Sequence, residues 1–356
     1  MDPLPALAPL HIGLTYDLRS AYLAAGYGDE ETAEFDRDDT IDALEHALRT
    51  LGHTPERIGS ARELAAALAA GKRWDLVFNI CEGLRGLGRE SQVPTLLELY
   101  GIAYTFSDPA VMDLCLHKGL AKLAVRDAGL ATPAFRVVRD PADLARGWDG
   151  WRFPLFVKPV AEGTSKGVSP ASKVPDVAAL EARCAEIWAH YDQPALVEEF
   201  LSGREFTVSL LGTGATARVL GTLEIVLLPA ADAEVYSYRN KEECEVLVEY
   251  RWVRGEDDPT VARAEADALA AWRVLGCCDA GRIDLRCDAT GAPQFLEANP
   301  LAGLHPTHSD IPILANEMGL PYVELIRQIV AGAWTRALAR RRRTPLVPTT
   351  AGATAP

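Results

Sequence analysis

The chain has 356 residues and a formal net charge of −14, too long for one ordinary core and too acidic for a nucleic-acid-binding surface, although charge can reverse locally around a phosphate site. With 48% hydrophobic and 24% charged residues, wholesale disorder is excluded. Met1–Leu10 lacks a basic stretch, no apolar run is long enough to span a bilayer, and seven scattered cysteines form no CxxC pair; together these point to a cytoplasmic protein.

In chain order, His11–Tyr16 predicts a strand, and Asp39–Leu51 predicts a helix from the apolar stripe of Ile41, Leu44, Leu48 and Leu51. Trp74–Ile80 reads as a buried parallel strand, Val93–Tyr100 as a helix and Ile102–Phe106 as a short strand. This β-α-β-α order implies a parallel sheet covered by helices on both faces. One helix is expected from Pro109 to Ala128, closed by Gly129. The middle section predicts strands at Phe135–Val138, Leu155–Lys158, Ala195–Phe200 and Glu205–Leu211, with a helix near Val177–His190. Arg218–Leu228 is strand-like, Ser237–Arg254 an exposed charged stretch, and Pro259–Leu275 a helix. A hairpin over Arg282–Glu297, a loop and a helix at Tyr322–Ala339 follow. The Arg340–Arg343 run reads as the cationic end of that helix rather than a recognition patch, and the tail from Thr344 as disordered.

The hairpin carries the most chemistry. Alternation puts Arg282, Asp284 and Arg286 on one face, and Glu297 and Asn299 on one face. A turn centred between Thr290 and Gly291 sets Asp284 opposite Glu297. Paired carboxylates repel unless a cation lies between them, and Asp, Glu and Asn oxygens suit Mg²⁺ shared with nucleotide phosphates. An ion-pair ladder with Arg282 and Arg286 explains the same spacing, so both readings stay open here. Lys158 ends a strand ahead of Glu162-Gly163-Thr164-Ser165-Lys166-Gly167, a small-residue loop suited to polyphosphate although no Walker A sequence is present. Leu196–Leu201 and Gly203–Phe206 read as strand, turn and strand; they could offer main chain to an adenine and Glu205 to a ribose, or form a plain hairpin. Gly212–Ala217 fits Gly-x-Gly-x-x-Ala but precedes a strand, so the context of a dinucleotide site is missing. Pro306 between His305 and His308 argues against a zinc cluster.

Gly281-Arg282-Ile283-Asp284, Leu296-Glu297-Ala298-Asn299, Val157-Lys158-Pro159 and Ser202–Val208 stand in one order. That order resembles the D-alanine–D-alanine ligase branch of the ATP-grasp superfamily, from about Trp74 to Ala333. The resemblance implies an α/β (α+β) three-domain ATP-grasp fold, with an N-terminal parallel-sheet domain and ATP held between the central and C-terminal domains. The division expected is residues 1–112, 113–210 and 211–343, followed by a tail at 344–356. By the same resemblance Lys118 and Lys158 grip ATP phosphates, while Thr164 and Ser165 belong to a loop that closes over them. Glu198, Glu199, Phe200 and Leu201 line the adenine pocket, Glu205 holds the ribose, and Lys241 reaches the γ-phosphate. Asp284, Glu297 and Asn299 hold two Mg²⁺ ions, with Mn²⁺ as the alternative, and Arg282 stabilises charge at the reacting centre; Lys241, Arg282 and Ser165 form the catalytic set.

The activity implied is ATP-dependent joining of a carboxylate to an amine through an acyl-phosphate, on amino acids or small peptides. An ATP-grasp kinase and a non-catalytic ATP sensor are the alternatives. A homodimer is typical of such relatives, and neither nucleic acid nor membrane is an expected partner. The amino-acid half departs from the family. The Gly-Gly-x-Ser-x-Glu loop is absent after the first strand, where Tyr16-Asp17-Leu18-Arg19-Ser20 stands. Cys81–Glu90 replaces the His-Gly segment, and Asn299-Pro300-Leu301-Ala302-Gly303 replaces Asn-Thr-x-Pro-Gly. Glu82, Arg89, His305, His308, Ser309 and Asp310 are the candidate substrate contacts, Arg89 for a carboxylate and Asp310 for an ammonium group.

Overall fold

The structure, a computed structural model, describes residues 7–343. The expectation for the tail from Thr344 therefore lies outside the described residues. The first section runs β1 (His11–Tyr16), α1 (Arg19–Ala24), α2 (Asp38–Thr50), β2 (Thr54–Gly59), α3 (Ala61–Ala69), β3 (Leu76–Ile80), α4 (Gln92–Leu99) and β4 (Ala103–Tyr104). Its strands form a parallel sheet in the order β2-β1-β3-β4. Ile12, Leu14, Leu76 and Phe78 bury one face against Ile41, Leu44 and Leu48 of α2. Val77 and Trp74 bury the other against Leu64, Leu68 and Leu97. Nothing apolar in Thr54-Pro55-Glu56-Arg57 announces β2 in the sequence. It lies at the sheet edge, where polar residues and proline are tolerated.

The middle and last sections run α5 (Pro109–Leu116), α6 (Lys118–Asp127), β5 (Phe135–Val138), α7 (Pro141–Leu144), β6 (Leu155–Pro159), β7 (Lys173–Val174), α8 (Val177–Tyr191), β8 (Ala195–Glu199) and β9 (Glu205–Leu211). Then come β10 (Arg218–Leu227), α9 (Tyr238–Glu242), α10 (Cys244–Leu247), β11 (Val248–Val253), α11 (Pro259–Leu275), β12 (Ala280–Cys287), β13 (Pro293–Asn299), α12 (Asp310–Glu317) and α13 (Tyr322–Arg343). A four-stranded antiparallel sheet, β5-β8-β6-β7, packs on Leu180, Cys184 and Ile187 of α8. A five-stranded antiparallel sheet, β11-β10-β9-β12-β13, packs on Ala268, Ala271, Trp272 and Leu275 of α11. No helix among the described residues is long and apolar enough to cross a membrane.

Three expectations are corrected. The single helix over Pro109–Ala128 breaks at His117, where ψ is 88° and the ring accepts a hydrogen bond from Leu120 N at 3.2 Å, capping α6. Lys118 therefore opens a helix instead of lying inside one. The Ser237–Arg254 stretch holds α9, α10 and β11, with Asn240 and Cys244 buried. The loop after the hairpin contains α12. In addition, β9 is hydrogen-bonded between β10 and β12, so Glu205–Leu211 share a sheet with the strands that follow.

Candidate active site

Two sheets face each other across a cleft, and strand alternation selects what each contributes. In β6 and β8, Leu155, Val157, Ala195 and Val197 enter the core, which leaves Phe156, Lys158 and Glu198 on the cleft face. In β9 and β12, Val208, Ile283 and Leu285 pack toward α11, which leaves Glu205, Thr207, Arg282, Asp284 and Arg286 in the cleft. Strict alternation along β13 would put buried Phe295 on the same face as Glu297. A bulge prevents this: Leu285 pairs with Phe295 but Asp284 pairs with Glu297, so Leu296 is the extra residue. Asp284 and Glu297 thus oppose each other as the sequence spacing suggests, with the bulge rather than the turn centre setting the register. Gly281 is required beside them, since a Cβ there would lie 2.5 Å from the Asn299 carbonyl.

Cations and acids interleave on the cleft floor. Lys158 Nζ lies 3.1 Å from Glu198 and 3.9 Å from Glu297, and Lys118 Nζ lies 3.5 Å from Glu297. Burial alone would raise the Glu297 pKa, yet Lys118, Lys158, Arg282 and Lys241 together hold it at about 2. Asp284 moves the other way: burial and the Glu297 charge raise it against the pull of Arg282. Its oxygens meet Thr207 Oγ1 at 2.8 Å, Asn299 Nδ2 at 3.0 Å and Arg282 Nε at 3.3 Å. Burial pulls the Lys241 pKa down, and the Arg282 charge adds to this. Burial raises the Glu205 carboxyl although Arg286 stands 3.3 Å away.

Over the cleft lies the Gly163–Gly167 loop, with Thr164 and Ser165 in the left-handed region at φ 49° and 55°. Such backbone strain, on the order of 1–2 kcal/mol per residue, needs outside support. The acidic segment after α1 supplies it: Glu34 accepts from Gly163 N at 2.5 Å, and Glu30 accepts from Gly167 N at 3.2 Å.

Lys118, Lys158, Ser165, Glu198, Glu199, Phe200, Leu201, Glu205, Lys241, Arg282, Asp284 and Glu297 all line this cleft. Thr164 and Asn299 line an adjoining cavity of about 310 Å³, as do Glu82, His305, His308, Ser309 and Asp310. Three roles change. Arg89 is 4% exposed and pairs with both oxygens of Glu34 at 2.9 and 3.0 Å, so its expected partnership with a substrate carboxylate gives way to Glu34. Asp310 pairs with Arg282 and is not free for an ammonium group. The Glu198 carboxylate is committed to Lys158 and to Lys122 Nζ at 2.8 Å, which leaves Glu199–Leu201 facing the cleft beyond it. Lys122 itself has no motif. A lysine one helical turn after Lys118, on a face shared with buried Ala121 and Val125, is the signal that could have found it. Glu34 carries no comparable signal.

A family model described as D-ala D-ala ligase C-terminus matches residues 124–331. The D-alanine–D-alanine ligase of Bordetella petrii is 36% identical over 274 residues, covering 76% of this chain and 79% of that protein. The chain belongs to the D-alanine–D-alanine ligase family. A second member, the D-alanine–D-alanine ligase of Bordetella avium, is 33% identical over 293 residues, covering 82% of this chain and 87% of its own length. The fold agrees. The crystal structure of D-alanine–D-alanine ligase from Bacillus anthracis complexed with ATP superposes with a TM-score of 0.71, at 21% identity, over 93% of this chain and 99% of that one. The chain is accordingly a ligase of the ATP-grasp fold that forms carbon–nitrogen bonds using ATP.

Proposed function

We propose that this ligase activates the carboxylate of an amino acid or small peptide as an acyl-phosphate and passes it to the amine of a second. The observation that carries the site assignment is the buried pair Asp284 and Glu297, opposed in register and ringed by Lys118, Lys158, Lys241 and Arg282. Asp284, Glu297 and Asn299, with its amide turned to present oxygen, would hold Mg²⁺. The donor set fits because Mg²⁺ takes one or two carboxylates and completes its shell from phosphates and water. That matches the absence, among the described residues, of a three-ligand acidic or histidine cluster. Bound there, the metal would neutralise phosphate charge.

The chain's own groups do the rest. Lys158 and Lys118 face the triphosphate. Glu199–Leu201 offer main chain to adenine, and Glu205, its carboxyl raised by burial against the pull of Arg286, accepts a hydrogen bond from a ribose hydroxyl. Lys241 and Arg282 line both cavities and stand where phosphate passes from nucleotide to carboxylate. The loop carrying Thr164 and Ser165 keeps water from the acyl-phosphate. Assembly as a homodimer belongs to the same proposal, and light scattering decides it.

The test is ADP formation with Mg²⁺ and paired amino acids. Asp284→Asn is expected to lower turnover by roughly 100-fold or more, with circular dichroism unchanged. Full activity in that variant would sink the assignment. Mass spectrometry separates an amide product with free phosphate from a stable phosphorylated product.

A further inference from the structure

The 310 Å³ cavity shares Lys118, Lys241, Arg282 and Glu297 with the nucleotide cleft, so it is where the reacting groups of the amino acids meet the phosphate. Its far wall is acidic, and two of its three acids come from the Cys81–Glu90 segment that departs from the family. Asp36 follows α1, Glu82 follows β3 and Glu90 precedes α4. Glu90 is only 8% exposed, and no hydrogen bond or ion pair from a described residue reaches its carboxylate, nor those of Asp36 and Glu82.

Lys118 and Lys241 lie on the side of the cavity shared with the cleft, and the arginines nearby are committed elsewhere. Arg19 pairs with Asp29 and Glu242, and Arg37 with Asp39 and His305. Arg282 pairs with Asp284 and Asp310. Arg89, behind the wall, is held by Glu34. Burial and the neighbouring acids push Glu90 up to about 7 despite Arg89, and Glu82 well above its ordinary value. A buried carboxylate without a partner is costly, and a cation reverses that cost through charge-assisted hydrogen bonds. Away from the phosphates that complete a Mg²⁺ shell, a metal ion would need three or more protein ligands, and the described acids gather in no such group.

We infer that the wall of Asp36, Glu82 and Glu90 receives the cationic side chain of an amino-acid substrate, an ammonium or guanidinium group on a carbon chain. The ligase thus takes a basic amino acid as one of its two substrates. The inference rests on the ligase reading for the word substrate; the charge preference of the cavity stands on its own geometry.

Isothermal titration of the full chain, with ADP and Mg²⁺ present, tests it. Lysine, ornithine and arginine in both enantiomers are compared with norleucine, norvaline and citrulline. A basic amino acid is expected to bind at least about tenfold tighter than its neutral counterpart, because a site built for a polar group rejects the analogue that lacks it. Glu90→Gln and, separately, Glu82→Gln are expected to reduce that ratio to about threefold or less. The ratio is taken within each protein, so general damage to one variant cannot mimic the result. Equal binding of the neutral analogues, or a preference that survives both variants, overturns the inference. Phosphate release is read in parallel. A binding preference with no turnover for any pair supports the pocket and overturns the ligase reading, whereas turnover of neutral pairs without preference overturns the pocket alone.

Discussion

Lys122 and Glu198 show how far single side chains are withdrawn from water to build this site. Both are almost wholly buried; burial pulls Lys122 down to about 8, while Lys122 and Lys158 together keep Glu198 ionised against its own burial. Holding Glu198 between two lysines keeps Lys158 on the cleft side of the sheet, where a phosphate can reach it. Asp36 is the opposite case. Burial and the Asp17 charge push it up to about 8, and Cys81, Glu82 and Tyr322 are the other titratable groups that feel it. A carboxyl with a raised folded-state pKa contributes its stability below the unfolded value near 4 and loses it as pH rises through 8. Asp36→Asn removes that loss. The stability of the variant relative to the parent should therefore grow between pH 4 and pH 8 and level off above, as read from urea midpoints at several pH values. A constant difference across that range would place Asp36 in water.

At the scale of elements, the Gly163–Gly167 loop and the acidic segment after α1 behave as one unit. Gly163 leaves no room for a side chain, since a Cβ there would lie 2.4 Å from Glu34 Oε1. Glu30 ties the other end, accepting from Gly167 N and from Tyr191 OH at 2.6 Å. Glu30→Ala is expected to speed hydrogen exchange at the Gly167 amide several-fold while changing global stability by less than about 1 kcal/mol, because the tie is exposed. Unchanged exchange would show that Glu34 alone holds the loop. The β13 bulge works on the same scale: one extra residue keeps Phe295 in the core while Leu296 and Glu297 both reach the cleft.

Across the whole molecule, the first and last sheets share a core in which Leu14 and Leu44 meet Leu325, Ile326 and Ile329 of α13. One buried ion pair closes the seam. Arg336 Nη2 of α13 lies 2.7 Å from Asp279 Oδ2 and donates to the Tyr104 and Phe106 carbonyls, and Asp279 accepts from Phe106 N at 2.7 Å. Arg336→Met strands a buried carboxylate and is expected to cost roughly 3–5 kcal/mol. That corresponds to a melting point lower by on the order of 5 °C. A change under a few degrees would show that water enters the seam.

The sequence by itself determined the family and most of the residues that gather in the cleft. Lys158 at a strand end, the small-residue loop and the Asp284 and Glu297 spacing depend on periodicity and on neighbours close in the chain, which local rules describe. Tertiary structure decided what depends on distant partners. Arg89 and Asp310 look available along the chain, but each has its charge satisfied by a residue from another segment, Glu34 and Arg282. Lys122, Glu34 and the acids at 36, 82 and 90 gain meaning only where separate elements meet. Burial in a low dielectric turns ordinary charges into a wall that calls for a cation, and no single stretch of sequence records how deeply its neighbours will bury it.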